Sequence, residues 1–397
     1  MKHGLLKKFL SDGFLNNGLR YLFLDYTLYI FSTSLLHLFL PLYLIQELAF
    51  PLWLALMPSA VLMACYGIFS FFGYKIQSKI GTKKMFILSY FTKLIHHGFL
   101  LLIPFNIIGF WLYLAFAPIN AVFAIWQPHQ ISLSKYTNKK HRGLQLSFLS
   151  VVVLIAYTIG PILGAWVLSY YGFIWLIAVQ YIFMGFRIFP ILKLDNFYEP
   201  KMKWSYREVM KLIFSKRFRK TFISLSALNV LNVGNLLWPI FIFLSLKTYL
   251  GVGSVLSIAI FFQLIFTLFV GRITDIFKRK SVLVVGTVLN SLSWFGRFII
   301  NFLPKSILLF TGLETYSGFV GQTTGLPYNA SVYDKLDKNL DYRPMFDIME
   351  HISKVSTLFL VILILYLFPT FEKYIYVYFL ICAVVIFLLP MICNHEK

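Results

Sequence analysis

Residues 144–186 contain no Asp, Glu, Lys or Arg, and neither do residues 94–134. Runs of that length exceed the ~20 apolar residues that carry one helix across a bilayer core. Each therefore reads as two helices joined by a tight turn, with turn signals at "IPFNIIG" (103–109) and "SYYGF" (169–173). Of the 397 residues, 59% are hydrophobic and 13% charged, against ~25% charged in an average soluble domain. A soluble fold could not cover so apolar a chain with polar surface. The expected class is an all-α polytopic membrane protein.

Further uncharged runs lie at 26–46, 48–74, 221–246, 248–271 and 374–394. Spans carrying an occasional charge lie at 84–105, 281–303, 306–333 and 345–368, which brings the expected total to twelve. Basic residues orient them: 29 of the 36 Lys and Arg fall on one side, in the N-terminal segment, alternate loops and the C-terminus. The positive-inside rule places both termini in the cytoplasm and makes the plasma (cytoplasmic) membrane the expected location. The net charge of +21 is then a topology signal, and the expected partner is the lipid bilayer rather than nucleic acid. The basic segment 1–20 reads as an uncleaved amphipathic surface helix.

The longest polar stretch, 194–220, divides the chain into a six-helix bundle (1–193), a cytoplasmic amphipathic linker, and a second six-helix bundle (221–397). In the linker, Trp204, Val209, Leu212 and Ile213 are expected to face lipid. The halves resemble each other. "PHQISLSKY" (128–136) parallels "PYNASVYDK" (327–335), and "YKIQSKIGTKK" (74–84) parallels "GRITDIFKRK" (271–280). Internal repeats of this kind are common in secondary transporters.

These stretches resemble the signature of the major facilitator superfamily: Gly, three residues, Asp, a base, one residue, Gly, one residue, two bases. The second copy keeps Gly271, Asp275, Arg279 and Lys280. The first keeps Lys79, Gly81, Lys83 and Lys84, with Tyr74 in place of its glycine and Ser78 in place of its aspartate. "HRG" at 141–143 is also similar to the family. "GPILGA" (160–165), with Gly160, Pro161 and Gly164, resembles a motif associated with the family's exporters. Close helix packing accounts equally well for its small residues. The resemblance implies two pseudo-symmetric bundles, alternating access, a small-molecule solute, a monomer, and a cavity lined by spans one, four, seven and ten.

A charge at bilayer depth costs about 2.5–3.5 kcal/mol on insertion scales, so each needs a reason. Glu314, in span ten, is the leading candidate to bind a proton or a cationic solute. Asp25, in span one, is placed to pair with a base at the inner mouth. Asn229, Asn232, Asn235 and Trp238 make a polar, aromatic strip on span seven. Gln127 and His129 (span four) and Tyr316 and Gln322 (span ten) are further candidates to face the solute. Glu350 and Lys354 are four apart, the spacing of a helical ion pair or of a gate. Lys93, His96 and His97 share a face of a span expected to be peripheral, which suggests structural roles. Arg187 and Arg297 lie near span ends and are expected to snorkel.

Loop charges suggest an inner gate. Lys75, Lys79, Lys83 and Lys84 would face the acid-bearing loop 334–347, and Asp275 would face the basic loop with Lys135, Lys139, Lys140 and Arg142. The eight histidines are scattered and the three cysteines lack ligand spacing, so neither a metal nor a cofactor is expected. The function read from these features is secondary transport, proton-coupled, with a lean to efflux. Uptake of a sugar-like or other polar solute is the alternative within that class. A non-transporting receptor or scaffold, or a polytopic membrane enzyme, is the alternative outside it.

Overall fold

Two kinds of terminator divide the apolar sequence into helices. The first is polar capping. Asn16 precedes α1 (Asn17–Leu36) and accepts the Leu19 N–H at 2.8 Å, satisfying one of the free donors of the first turn. The second is glycine in a conformation closed to other residues: Gly81 and Gly172 both have φ of +87°. They separate α3 (Leu52–Ile80) from α4 (Thr82–Gly98), and α7 (Arg142–Tyr171) from α8 (Phe173–Phe186). Between α1 and α2 (Phe39–Gln46) the helix is interrupted at His37 and Leu38. Pro41 explains the break, because it has no N–H for the His37 carbonyl four residues before it.

The computed structural model describes residues 16–137, 142–198, 205–276, 279–337 and 343–393. Only backbone is described for 142–144, 146–147, 268–269, 271–276, 279, 330, 333–337 and 343–344. The remaining helices are α5 (Ile108–Val122), α6 (Trp126–Tyr136), α9 (Ile188–Lys193), α10 (Tyr206–Ile213), α11 (Arg219–Leu246), α12 (Tyr249–Ile276), α13 (Arg279–Ile299), α14 (Ile307–Asp337), α15 (Arg343–Leu367) and α16 (Val377–Val385).

Ten of the expected spans correspond to described helices long and apolar enough to cross a membrane. The chain is an integral, multi-pass, all-α membrane protein. Val377–Cys393 is apolar but shorter. The 31-residue α14 is long enough, yet Glu314, Ser317, Gln322 and Thr324 make it more polar than its neighbours. The first helix begins at Asn17, earlier than expected, so Arg20 lies within it rather than in a separate surface segment.

Two long helix pairs join the first half of the chain to the second: α3 with α15, and α7 with α12. Small residues allow the second contact. A side chain at Gly253 would meet the Pro161 carbonyl at 2.7 Å. One at Gly160 would meet Ser34 Oγ at 1.9 Å, and one at Gly164 the Leu35 carbonyl at 2.7 Å. The "GPILGA" stretch thus holds α7 against both α1 and α12.

The linker departs from expectation. Val209 and Ile213 are buried in the main core rather than exposed to lipid, and Tyr206 meets Phe71 of α3 edge-to-face at 5.5 Å. The apolar face of α10 is narrow, so it packs more completely against α15 and α3 than a lipid surface would allow. Trp204 lies outside the described residues.

Candidate functional site

Helices α11, α12, α13 and α14 surround a cavity of about 360 Å³, within the usual range of small-molecule sites. Leu228, Leu231, Leu256 and Ile260 make part of its wall apolar. Another part is built around Arg297. Its guanidinium donates to Glu314 Oε2 at 2.7 Å, Ser317 Oγ at 2.8 Å and Asn235 Oδ1 at 2.9 Å. It lies over the rings of Trp294 and Trp238, at 4.3 and 4.8 Å from their centroids. Its Nε has no partner.

Arg297 is 2% exposed and does not snorkel as the sequence suggested. A carboxylate on the facing helix and two aromatic faces supply locally what water at the interface would otherwise supply. The sequence signal was the pairing of a base and an acid inside adjacent spans, which considering each charge singly misses. Trp294, Ser317, Asn290 and Thr324 also went unread. Asn290 donates to Thr324 Oγ1 at 3.0 Å, tying α13 to α14.

The helices of the first half contain a second buried pair. Arg187 Nε meets Asp25 Oδ1 at 2.9 Å, both side chains fully buried, and the guanidinium lies 4.9 Å from the Tyr29 ring centroid. Arg187 too was expected to snorkel, and the same reason keeps it inside.

A comparison with family models matches the Major Facilitator Superfamily over residues 22–340. The chain belongs to the major facilitator superfamily. Solved structures with the same fold include a POT family transporter in complex with 5-aminolevulinic acid and one in complex with a thioalcohol-conjugated peptide. Each has a TM-score of 0.73 at 15% identity, with 95% of both chains covered. No curated protein matches the sequence.

In this facilitator the sequence-derived candidates divide. Asn232, Asn235, Trp238, Glu314 and Gln322 line the cavity. Asn229 lies beside it, fully buried: it donates to the Glu350 carbonyl and to Ser353 Oγ at 2.9 and 2.5 Å, and accepts from Asn232 at 3.1 Å. Tyr316 points elsewhere, donating to the Leu289 carbonyl at 3.1 Å. Gln127 is buried and donates to the Ser70 carbonyl at 2.8 Å, while His129 stacks on Tyr26 at 4.0 Å. None of these three lines this cavity.

Glu350 and Lys354 do not close into an ion pair within 4 Å. Both are half-buried on α15, and His351 between them reaches Tyr66 and Trp126 of the first half at 5.5 and 5.4 Å.

The inner-gate expectation also changes. Lys83 turns to its own half: its Nζ donates to the Leu192 carbonyl at 2.8 Å and its N–H to Asn196 Oδ1 at 3.0 Å. Asn196 fits against the bare Cα of Gly81, where a side chain would lie 2.3 Å away. Lys79 is exposed and contacts no acid among the described residues; the side chains of Asp334, Asp337 and Asp341 in the facing loop lie outside them. One link to the acid-bearing side is a hydrogen bond from Tyr74 to Asp347. The tyrosine that replaced the motif glycine thus spans the halves. Lys280 is exposed. The side chains of Gly271, Asp275, Arg279 and Arg142 lie outside the described residues. His37 of the first span joins the adjacent His96 and His97 in a chain of rings with centroids 5.8 Å apart. Among the described residues no group of three or more His, Cys, Asp or Glu could hold a metal.

Proposed function

We propose that the chain is a proton-coupled secondary transporter, a carrier rather than an enzyme, which moves one small solute by alternating access between two six-helix units. The twelve-span topology with cytoplasmic termini belongs to this reading, with α14 and Val377–Cys393 completing the count. The observation that carries it is the Arg297–Glu314 pair in the wall of a cavity large enough for a small solute. A protonated Glu314 releases its share of the guanidinium to the solute, and an empty site takes that share back. Solute and proton then compete for, or arrive with, the same network. Trp238 and Trp294 offer flat apolar faces beside it, so an amphipathic solute that sets a polar group against Arg297 fits best.

The direction proposed is export, on the resemblance of residues 160–165 to the exporter motif. The packing of Gly160 and Gly164 explains those glycines without a direction, so transport in inside-out and right-side-out vesicles decides it. The coupling test is Glu314→Gln in proteoliposomes. The expected result is loss of transport driven by a pH gradient, with solute exchange retained. Unchanged gradient-driven transport would refute the assignment of Glu314.

A further inference from the structure

Away from the helix ends the spans carry four cations, Lys93, Arg187, Arg297 and Lys354, and three anions, Asp25, Glu314 and Glu350. Two pairs are closed, Arg187 with Asp25 and Arg297 with Glu314. Glu350 and Lys354 lie one turn apart on α15, near enough to offset each other at longer range. Lys93 remains. It is 5% exposed, and among the described residues it has no hydrogen bond, ion pair or aromatic face.

Its surroundings add positive character. The charge of Arg187 acts on it, and that charge repels. One turn further along α4, His97 is fully buried, and its Nε2 has no partner. Gln180 sets its amide nitrogen against the other ring nitrogen of His97; with that amide donating, the imidazole proton sits on Nε2. His37 faces His97 from the α1–α2 break, 5.8 Å between ring centroids. Its side chain is exposed, so it is free to reach a solute. Asp25, the acid of the first half's interior, is already committed to Arg187. A buried, unpaired ammonium beside unpaired imidazole donors lacks one negative charge.

We propose that the transported solute carries a carboxylate, and that Lys93 binds it at the break in the first span, with His97 and His37 beside it. This rests on the transporter reading and names the substrate class for it. An ammonium is a compact point charge and suits a single carboxylate without bidentate geometry.

The test uses the full chain in detergent and in proteoliposomes, with acetate, benzoate and succinate against acetamide, benzamide and succinamide, and with inorganic phosphate. Without ligand, Lys93→Met is expected to melt about 2–4 °C higher than the wild type, since it removes an uncompensated charge and keeps the packing. At least one carboxylate is expected to raise the wild-type Tm while its amide does not. That gain is expected to disappear in Lys93→Met and to persist in part in Lys93→Arg. A lower Tm for unliganded Lys93→Met overturns the proposal, because it would mean the ammonium has a partner. So does a carboxylate effect that survives Lys93→Met, or stabilisation by phosphate or amides alone. Failure of the wild type to move any solute in vesicles would instead count against the transporter reading, and the melting results stand apart from it.

Discussion

At the scale of single residues, the two buried ion pairs differ in how sealed they are. Asp25 and Arg187 are both fully buried, whereas Glu314 is 17% exposed to the cavity. Removing one member of a buried pair typically costs about 3–5 kcal/mol, because the survivor is stranded without solvent. Asp25→Asn is therefore expected to lower the denaturation midpoint of the solubilised protein more than Glu314→Gln does. Arg297→Met is expected to destabilise by about 3 kcal/mol, the lower end of that range, with much of the loss recovered in Arg297→Met/Glu314→Gln. If the double variant is no more stable than Arg297→Met, the charge pair is not what the site depends on. The contrast assigns separate tasks. The sealed pair locks α1 to the α8–α9 junction through its two charges, while the pair facing the cavity can exchange partners.

At the scale of elements, most helices were legible because charge-free runs and glycine punctuation are local signals. Gly81, Gly172 and the Asn16 cap fall where the sequence changes character. The candidate site was legible on α11 and α14, where Asn235, Trp238 and Glu314 recur on one face. It was not legible on α13, because Arg297 acquires meaning only when Glu314 is brought 2.7 Å away by packing. The burial of Lys93 was not legible for the same reason: which face of a helix packs inward is decided by its neighbours. The linker shows a local signal with a tertiary outcome. Ser205 and Glu208 form a capping box at the start of α10, a pattern visible in sequence, but the partner of the helix's apolar face is not. The Ser205 backbone N–H and hydroxyl both donate to Glu208, which holds its carboxyl below the usual glutamate value. A lowered value means the cap stabilises α10 above the ordinary glutamate range and is lost as pH falls through the folded one. Amide exchange over 206–209 is expected to accelerate on acidification, and Ser205→Ala is expected to bring the neutral-pH rates close to the acid ones. Exchange unaffected by pH, beyond its intrinsic dependence, would mean that burial of Val209 and Ile213 alone holds the helix.

At the scale of the whole molecule, the end opposite the basic loops is fastened by both of its acidic residues, and each reaches across the halves. Glu372, between α15 and α16, accepts the Leu52 N–H at the start of α3 at 2.7 Å. There the carboxylate also meets the favourable end of the helix dipole. Glu47, after α2, accepts from Tyr249 of α12 at 3.3 Å. Tyr249 packs edge-on to Phe39, and Trp53 packs edge-on to Tyr366, so aromatic contacts flank both hydrogen bonds. In an alternating-access cycle these contacts must break whenever this end opens. A net hydrogen bond contributes about 1 kcal/mol. Tyr249→Phe with Glu372→Ala should therefore shift the balance toward opening by about 2 kcal/mol, or roughly 30-fold. The expected outcome can be read as a distance. Gln46 and Lys373 are both exposed at this end and accept spin labels once Cys65, Cys382 and Cys393 are replaced. The long-distance population between the labels should grow in the double variant and should shrink again when solute closes the cycle. An unchanged distribution would mean that the aromatic contacts hold this end by themselves and that its two acids serve only the ends of their own helices.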